Sequence, residues 1–149
     1  MREQLKHEVN MRIAFDVARL ATCRRRHVGC VIVDGVNRVI ATGYNGSPRG
    51  AAHCSTAACP GALAPSGTAL DKCVAIHAEQ NAVMQCADVM LAHAIYVTTF
   101  PCPHCLKILM NTGAKQLFYA ERYSDDDLTG IGKWDALGRY SRLLIPLNE

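Results

Sequence analysis

Ala94-Ile95-Tyr96-Val97-Thr98-Thr99-Phe100-Pro101-Cys102-Pro103-His104-Cys105 is a β-branched and aromatic run that breaks at a proline and passes into a cysteine pair. The composition of 94–99 predicts a strand, and 105–111 predicts the helix after it, closed by Gly113 as a C-cap. Residues 115–121 predict a second short strand, and strand-helix-strand spacing of this length argues for parallel pairing. Pro101 fits just before the helix and Pro103 fits its first turn. Cys102 and Cys105 are three residues apart, so at a helix start they share one face and can hold a single ion.

Upstream, His77-Ala78-Glu79 opens another apolar stretch, in which Ala78, Ala82, Val83, Cys86 and Ala87 carry a predicted helix to Asp88. Two soft thiolates with the His77 imidazole suit Zn²⁺, and three protein ligands leave the fourth tetrahedral position open, the form of a catalytic site. If both segments begin helices, their unpaired N–H groups and positive dipole ends favour thiolate over thiol. Glu79, two residues beyond His77, can reach a reacting water without binding the ion, and so can serve as general base and then acid. A lone Cys-x-x-Cys also reads as a structural zinc half-site or a redox pair. The upstream His-Ala-Glu and the strand leading into Pro101 favour the catalytic reading.

The remainder of the chain bounds the setting. Its 149 residues, half of them hydrophobic, fit one domain over 1–149 with an ordinary core. Residues 1–11 are charged and polar where a secretory signal needs a continuous apolar core, and no apolar run approaches a membrane span, so no membrane role is expected. Eight cysteines without a signal peptide suggest metal ligands or buried thiols in a reducing cytoplasm rather than disulfides. A net charge of +3 is too small to argue for nucleic-acid binding, although it suits an anionic small substrate.

Leu5, Val9, Ile13, Val17 and Leu20 recur at helical spacing and predict an amphipathic helix over 3–22 packed on a sheet through that face. Strands are expected over 28–33 and 38–42, joined by an Asp34-Gly35 turn, with Cys30 as core. Among Arg24, Arg25 and Arg26 one phosphate contact is expected, since guanidinium binds phosphate oxygens in bidentate fashion. The loop 43–50 follows the second strand, and Asn45 offers an amide that both donates and accepts. Residues 51–73 have little capacity for a core. Cys54, Cys59 and Cys73 with Cys23, or with His53 as substitute, can form a closed second zinc site there, the alternative being buried free cysteines. His104 is expected exposed. Tyr123 and the acidic trio 125–127 lie past a strand end, where α/β ligand sites gather. Residues 134–140 predict a short helix and 143–145 a final edge strand.

The order His-x-Glu then Pro-Cys-x-x-Cys is the signature of zinc nucleobase deaminases. Together with Arg26-His27-Val28-Gly29-Cys30-Val31-Ile32-Val33, Gly43-Tyr44-Asn45-Gly46 and His77-Ala78-Glu79-Gln80-Asn81-Ala82, the sequence resembles the deoxycytidylate deaminases of the cytidine deaminase superfamily over almost its whole length. Cys30 departs from the alanine common there. The resemblance implies a three-layer α/β fold with a mixed five-stranded sheet flanked by helices, a homohexamer, and hydrolysis of dCMP to dUMP. It implies catalysis by Glu79 and a catalytic zinc on His77, Cys102 and Cys105. A second zinc on Cys23, Cys54, Cys59 and Cys73 matches many bacterial and viral members. It further implies substrate contacts at Arg26, Asn45, Ala78 and Tyr123. Activation by dCTP and inhibition by dTTP are implied through Gly43, Tyr44, Asn45 and Gly46, with Mg²⁺ on the triphosphate. An RNA-directed deaminase should carry a broader basic face than one local arginine run. A zinc-stabilised binding module would have no use for Glu79.

Overall fold

A computed structural model describes residues 1–23, 26–53, 74–124 and 127–144. Five strands, β1 (Gly29–Val33), β2 (Val39–Tyr44), β3 (Ala94–Thr99), β4 (Gln116–Glu121) and β5 (Tyr140–Leu143), form one sheet in the order β2-β1-β3-β4-β5. β1 is antiparallel to both β2 and β3, whereas β3, β4 and β5 run parallel. The helices are α1 (Arg2–Ala18), α2 (Ala78–Gln85), α3 (Pro103–Met110) and α4 (Asp127–Ala136).

Strand alternation divides the core in two. Cys30, Ile32, Ile95, Val97 and Leu117 face Ala78, Ala82, Leu106, Leu109 and Trp134 of α2, α3 and α4. Val31, Val33, Tyr96 and Phe118 face Met11 and Ala14 of α1. The result is the expected three-layer arrangement around a mixed five-stranded sheet. Among the described residues no helix is long and apolar enough to cross a membrane.

Helix α1 ends at Ala18 rather than near residue 22, and it buries Asn10, Met11, Ala14 and Ala18 instead of the Leu5–Val9–Leu20 stripe, which stays exposed. Close approach explains the choice of face. A Cβ at Gly29 would lie 1.9 Å from the Ala14 carbonyl oxygen, so α1 presses its small residues onto β1 where larger ones would not fit. Between β1 and β2, Asp34 Oδ1 accepts the Val36 and Arg38 N–H groups, and Asn37 (φ 65°), not Gly35, takes the left-handed conformation.

Gly113 does not cap α3 in a left-handed conformation. The helix closes at Asn111 (φ −92°, ψ 12°), and Gly113 is small because a Cβ there would stand 2.2 Å from the Met90 carbonyl oxygen. The C-terminal end of α3 is tied by Arg139, whose guanidinium donates to the carbonyls of Met110 (2.6 Å), Leu109 (3.3 Å) and Thr112 (3.4 Å) and sits over the Trp134 ring. A cation there also complements the negative end of the helix dipole. Replacing Arg139 by Ala is therefore expected to cost about 2 kcal/mol, the scale of charged hydrogen bonds to carbonyls. Denaturant unfolding checks this through a lower midpoint at unchanged slope.

Helix α4 begins earlier than the predicted 134–140 segment, and Gly138 (φ +71°) turns the chain into β5. The final strand accordingly starts at Tyr140, pairing parallel with β4 at the sheet edge.

Candidate metal centre and active site

The two motifs meet because each starts a helix at the same end of the sheet. His77 is the N-cap of α2 and Cys102 the N-cap of α3, with Pro103 in the first turn. Cys102 Sγ accepts the Cys105 N–H at 3.5 Å, while the His77 N–H donates to Gln80 Oε1 at 2.9 Å. These local contacts fix both backbones before any ion is considered. The position of α2 is set by β2. A Cβ at Gly43 would lie 2.3 Å from the Ala78 carbonyl oxygen and 2.4 Å from the Ala82 nitrogen, and Asn81 Nδ2 donates to the Tyr44 carbonyl at 2.8 Å.

His77 Nδ1 stands 3.3 Å from Cys105 Sγ and 3.6 Å from Cys102 Sγ. Tetrahedral Zn²⁺ with Zn–S near 2.3 Å and Zn–N near 2.0–2.1 Å separates its nitrogen and sulfur ligands by about 3.5 Å. The three side chains therefore fit zinc, and they are the group suited to a metal ion among the described residues. Cys105 is fully buried and Cys102 partly so. The adjacent Cys105, and after it His77, hold the Cys102 thiol down to about 4. The adjacent Cys102 and burial push Cys105 up. One sulfur of the pair is thus already disposed to be thiolate, and the positive ends of α2 and α3 act in the same sense.

Glu79 lies in the first turn of α2 with 5% of its surface exposed. Burial raises its carboxyl above the usual carboxylate range, opposed by a backbone N–H and by His77. It stands two residues after His77 on the helix that His77 caps and feels the charges of His77 and Cys102, so it lies by the ligand set without being one of the three ligands. Ala78, fully buried, is the first residue of α2, where a helix cannot satisfy its own N–H groups internally. Cys30 is core, as expected, in the cluster that holds Ala78 and Ala82. His104 is exposed, and Cys86 packs partly buried against the core.

Asn45, 7% exposed, pins the chain ahead of β1: its Nδ2 donates to the Arg26 carbonyl at 2.6 Å and its Oδ1 accepts the Val28 N–H at 2.8 Å. Gly43 and Tyr44 belong to β2 rather than to a loop, and Gly46 exchanges backbone hydrogen bonds with Ile76, the neighbour of His77. Arg26 is thereby brought to the end of the sheet where β3 and β4 finish. There its Nη2 donates to Glu121 Oε1 at 3.2 Å and its guanidinium carbon stands 4.6 Å from the Tyr123 ring centre. The Tyr123 and Ser124 N–H groups donate to the buried Asp127 carboxylate. Arg24, Arg25, Asp125 and Asp126 lie outside the described residues. So do Cys54, Cys59 and Cys73. Of the second predicted site only buried Cys23 and exposed His53 are described. Sequence reasoning missed Glu121 and Arg139, whose partners are distant along the chain.

A family model of the cytidine and deoxycytidylate deaminase zinc-binding region matches residues 4–121. The chain is 40% identical over 123 residues to a deoxycytidylate deaminase of Schizosaccharomyces pombe, covering 80% of this chain and 38% of that one. It is 39% identical over 115 residues to a deoxycytidylate deaminase of Mycobacterium phage D29, covering 72% of this chain and 88% of that one. The chain thus spans well under half of the yeast relative and most of the phage one. Among solved structures, the dCMP deaminase of cyanophage S-TIM5 in complex with dCMP and dUMP superposes with a TM-score of 0.72 at 26% identity, over 92% of this chain and 95% of that one.

Proposed function

The chain belongs to the cytidine and deoxycytidylate deaminase family, and from that premise we propose that it hydrolyses dCMP to dUMP and ammonia as a single deaminase domain over 1–149. The observation that carries the reading is the buried Glu79 in the first turn of the helix capped by His77, with His77, Cys102 and Cys105 forming a zinc-fitting set. Relatives 32–40% identical named deoxycytidylate deaminase, and a neighbour crystallised with dCMP and dUMP, support the choice of substrate.

Held by His77, Cys102 and Cys105, zinc supplies Lewis acidity that makes water a usable nucleophile at neutral pH. Glu79 takes a proton from the attacking water as its oxygen bonds to C4 of cytosine, and delivers that proton to N3. Glu79 then moves the second water proton to the exocyclic amine, the C4–N bond breaks, and ammonia leaves as the C4 carbonyl forms. One carboxyl therefore works in both directions, and its burial raises its affinity for the proton it must carry. Ala78 and Asn45 line the base and sugar, and Arg26 beside Tyr123 receives the 5′-phosphate in this reading. The support for Arg26 is its guanidinium at the end of β3 and β4, three residues of chain from Cys102.

The proposal includes activation by dCTP and inhibition by dTTP, with Mg²⁺ on the triphosphate, acting at 43–46. Gly43 has no clearance from the first turn of α2, so displacement of this segment would push directly on the helix that carries Glu79. It includes a homohexamer, a second zinc on Cys23, Cys54, Cys59 and Cys73, and a reducing cytoplasmic setting in which thiolate ligands persist.

Absorbance assays on the zinc-loaded protein test the proposal. Expected are turnover of dCMP well above that of cytidine, a rise with dCTP, and a fall with dTTP. Turnover indifferent to both effectors would discard the regulation and keep the enzyme. Activity on cytidine or on an RNA adenosine, with none on dCMP, would overturn the substrate.

A further inference from the structure

Glu121 takes no part in the chemistry above, yet its carboxylate is the shared acceptor of a cluster at the end of the parallel strands. Oε1 accepts from the Thr99 hydroxyl at 2.9 Å and from Arg26 Nη2 at 3.2 Å. Thr99 and Glu121 are paired in register as the last residues of β3 and β4, and Cys102 follows three residues after Thr99. The Arg26 guanidinium carbon is stationed over the Tyr123 ring, 4.6 Å from its centre, and the Arg26 backbone is held by Asn45.

The pair is not there for stability. The Glu121 side chain is 57% exposed, and ion pairs at such positions contribute little to folding. What the contact does is choose one orientation for a long side chain that would otherwise sample many. Arginine carries five N–H donors in a rigid fork, and Glu121 engages one Nη. With one Nη committed to Glu121 and the group stationed over Tyr123, the remaining donors are pre-set for bidentate recognition of a second anion.

We propose that Glu121 is a positioning residue for recognition of the substrate's 5′-phosphate, holding Arg26 in its binding orientation before the nucleotide arrives. This inference rests on the reading of Arg26 as the phosphate contact. It assigns Glu121 a share in the preference for a nucleotide over a nucleoside, without contact to the reacting ring.

Steady-state kinetics of Glu121→Ala and Glu121→Gln on dCMP and on deoxycytidine, which lacks the phosphate, test it. Glu121→Ala is expected to raise KM for dCMP about tenfold, the size of a charge-assisted hydrogen bond's effect, with kcat within about twofold and deoxycytidine turnover unchanged. Glu121→Gln, whose amide oxygen can still accept from Thr99 and Arg26, should recover most of the loss. In an Arg26→Ala background, Glu121→Ala should add no further rise in KM. An unchanged or lowered KM for dCMP in Glu121→Ala, an equal loss on deoxycytidine, or a full additional rise in the Arg26→Ala background would overturn the inference while leaving the deaminase reading intact. Failure of the wild-type protein to deaminate dCMP would instead overturn the reading on which it rests.

Discussion

Glu79→Gln is expected to retain zinc and lower kcat for dCMP by about 10²–10⁴, the range of a lost general acid–base. Glutamine matches the shape of glutamate and keeps one acceptor oxygen, so the buried pocket around residue 79 should survive. What it cannot do is accept and return a proton. Glu79 is not among the three side chains whose ligand atoms cluster, so metal content should not fall with activity. Zinc analysis alongside kcat separates the two effects. Near-normal turnover by a zinc-replete Glu79→Gln protein would remove Glu79 from the proton path.

The second large effect concerns zinc itself. His77 begins α2, while Cys102 and Cys105 begin α3, so an ion shared by the three cross-links the starts of two helices. Chelation would leave the His77–cysteine contacts across the two helix starts without the shared ion, and it is expected to abolish dCMP turnover and lower the unfolding temperature, both restored by added zinc. A ligand that binds only the folded state stabilises it by about 4 kcal/mol when free at a thousand times its Kd. Because Cys105 is fully buried and its thiol is pushed up, vacating the site leaves a polar group in the core without its strongest partner. A chelated protein with unaltered melting and full activity would refute the metal's role.

The centre of this molecule was readable from residue order because its constraints are local. Cys102 and Cys105 are one helical turn apart, prolines mark the helix start, and His77 and Glu79 lie within three residues at the start of another helix. The parallel pairing of β3 and β4 followed for the same reason, from the length of the segment between them. The hydrophobic period of α1 points to a different face from the one it buries, because period alone cannot register distance of approach. The backbone contact at Gly29 selects Ala14 and Ala18, and the larger Leu5, Val9 and Leu20 are left outside. Nothing local in the sequence announces that Arg139 reaches back to α3, or that Arg26 meets Glu121 from 95 positions away. Such contacts exist only after the sheet has brought distant segments to one edge.

The most direct test of the account is the yield from dCMP incubated with the zinc-loaded protein, followed for dUMP and ammonia together. The account predicts one ammonia and one dUMP for each dCMP consumed, with both lost on zinc removal. A protein that binds zinc at His77, Cys102 and Cys105 and releases no ammonia from dCMP would contradict it.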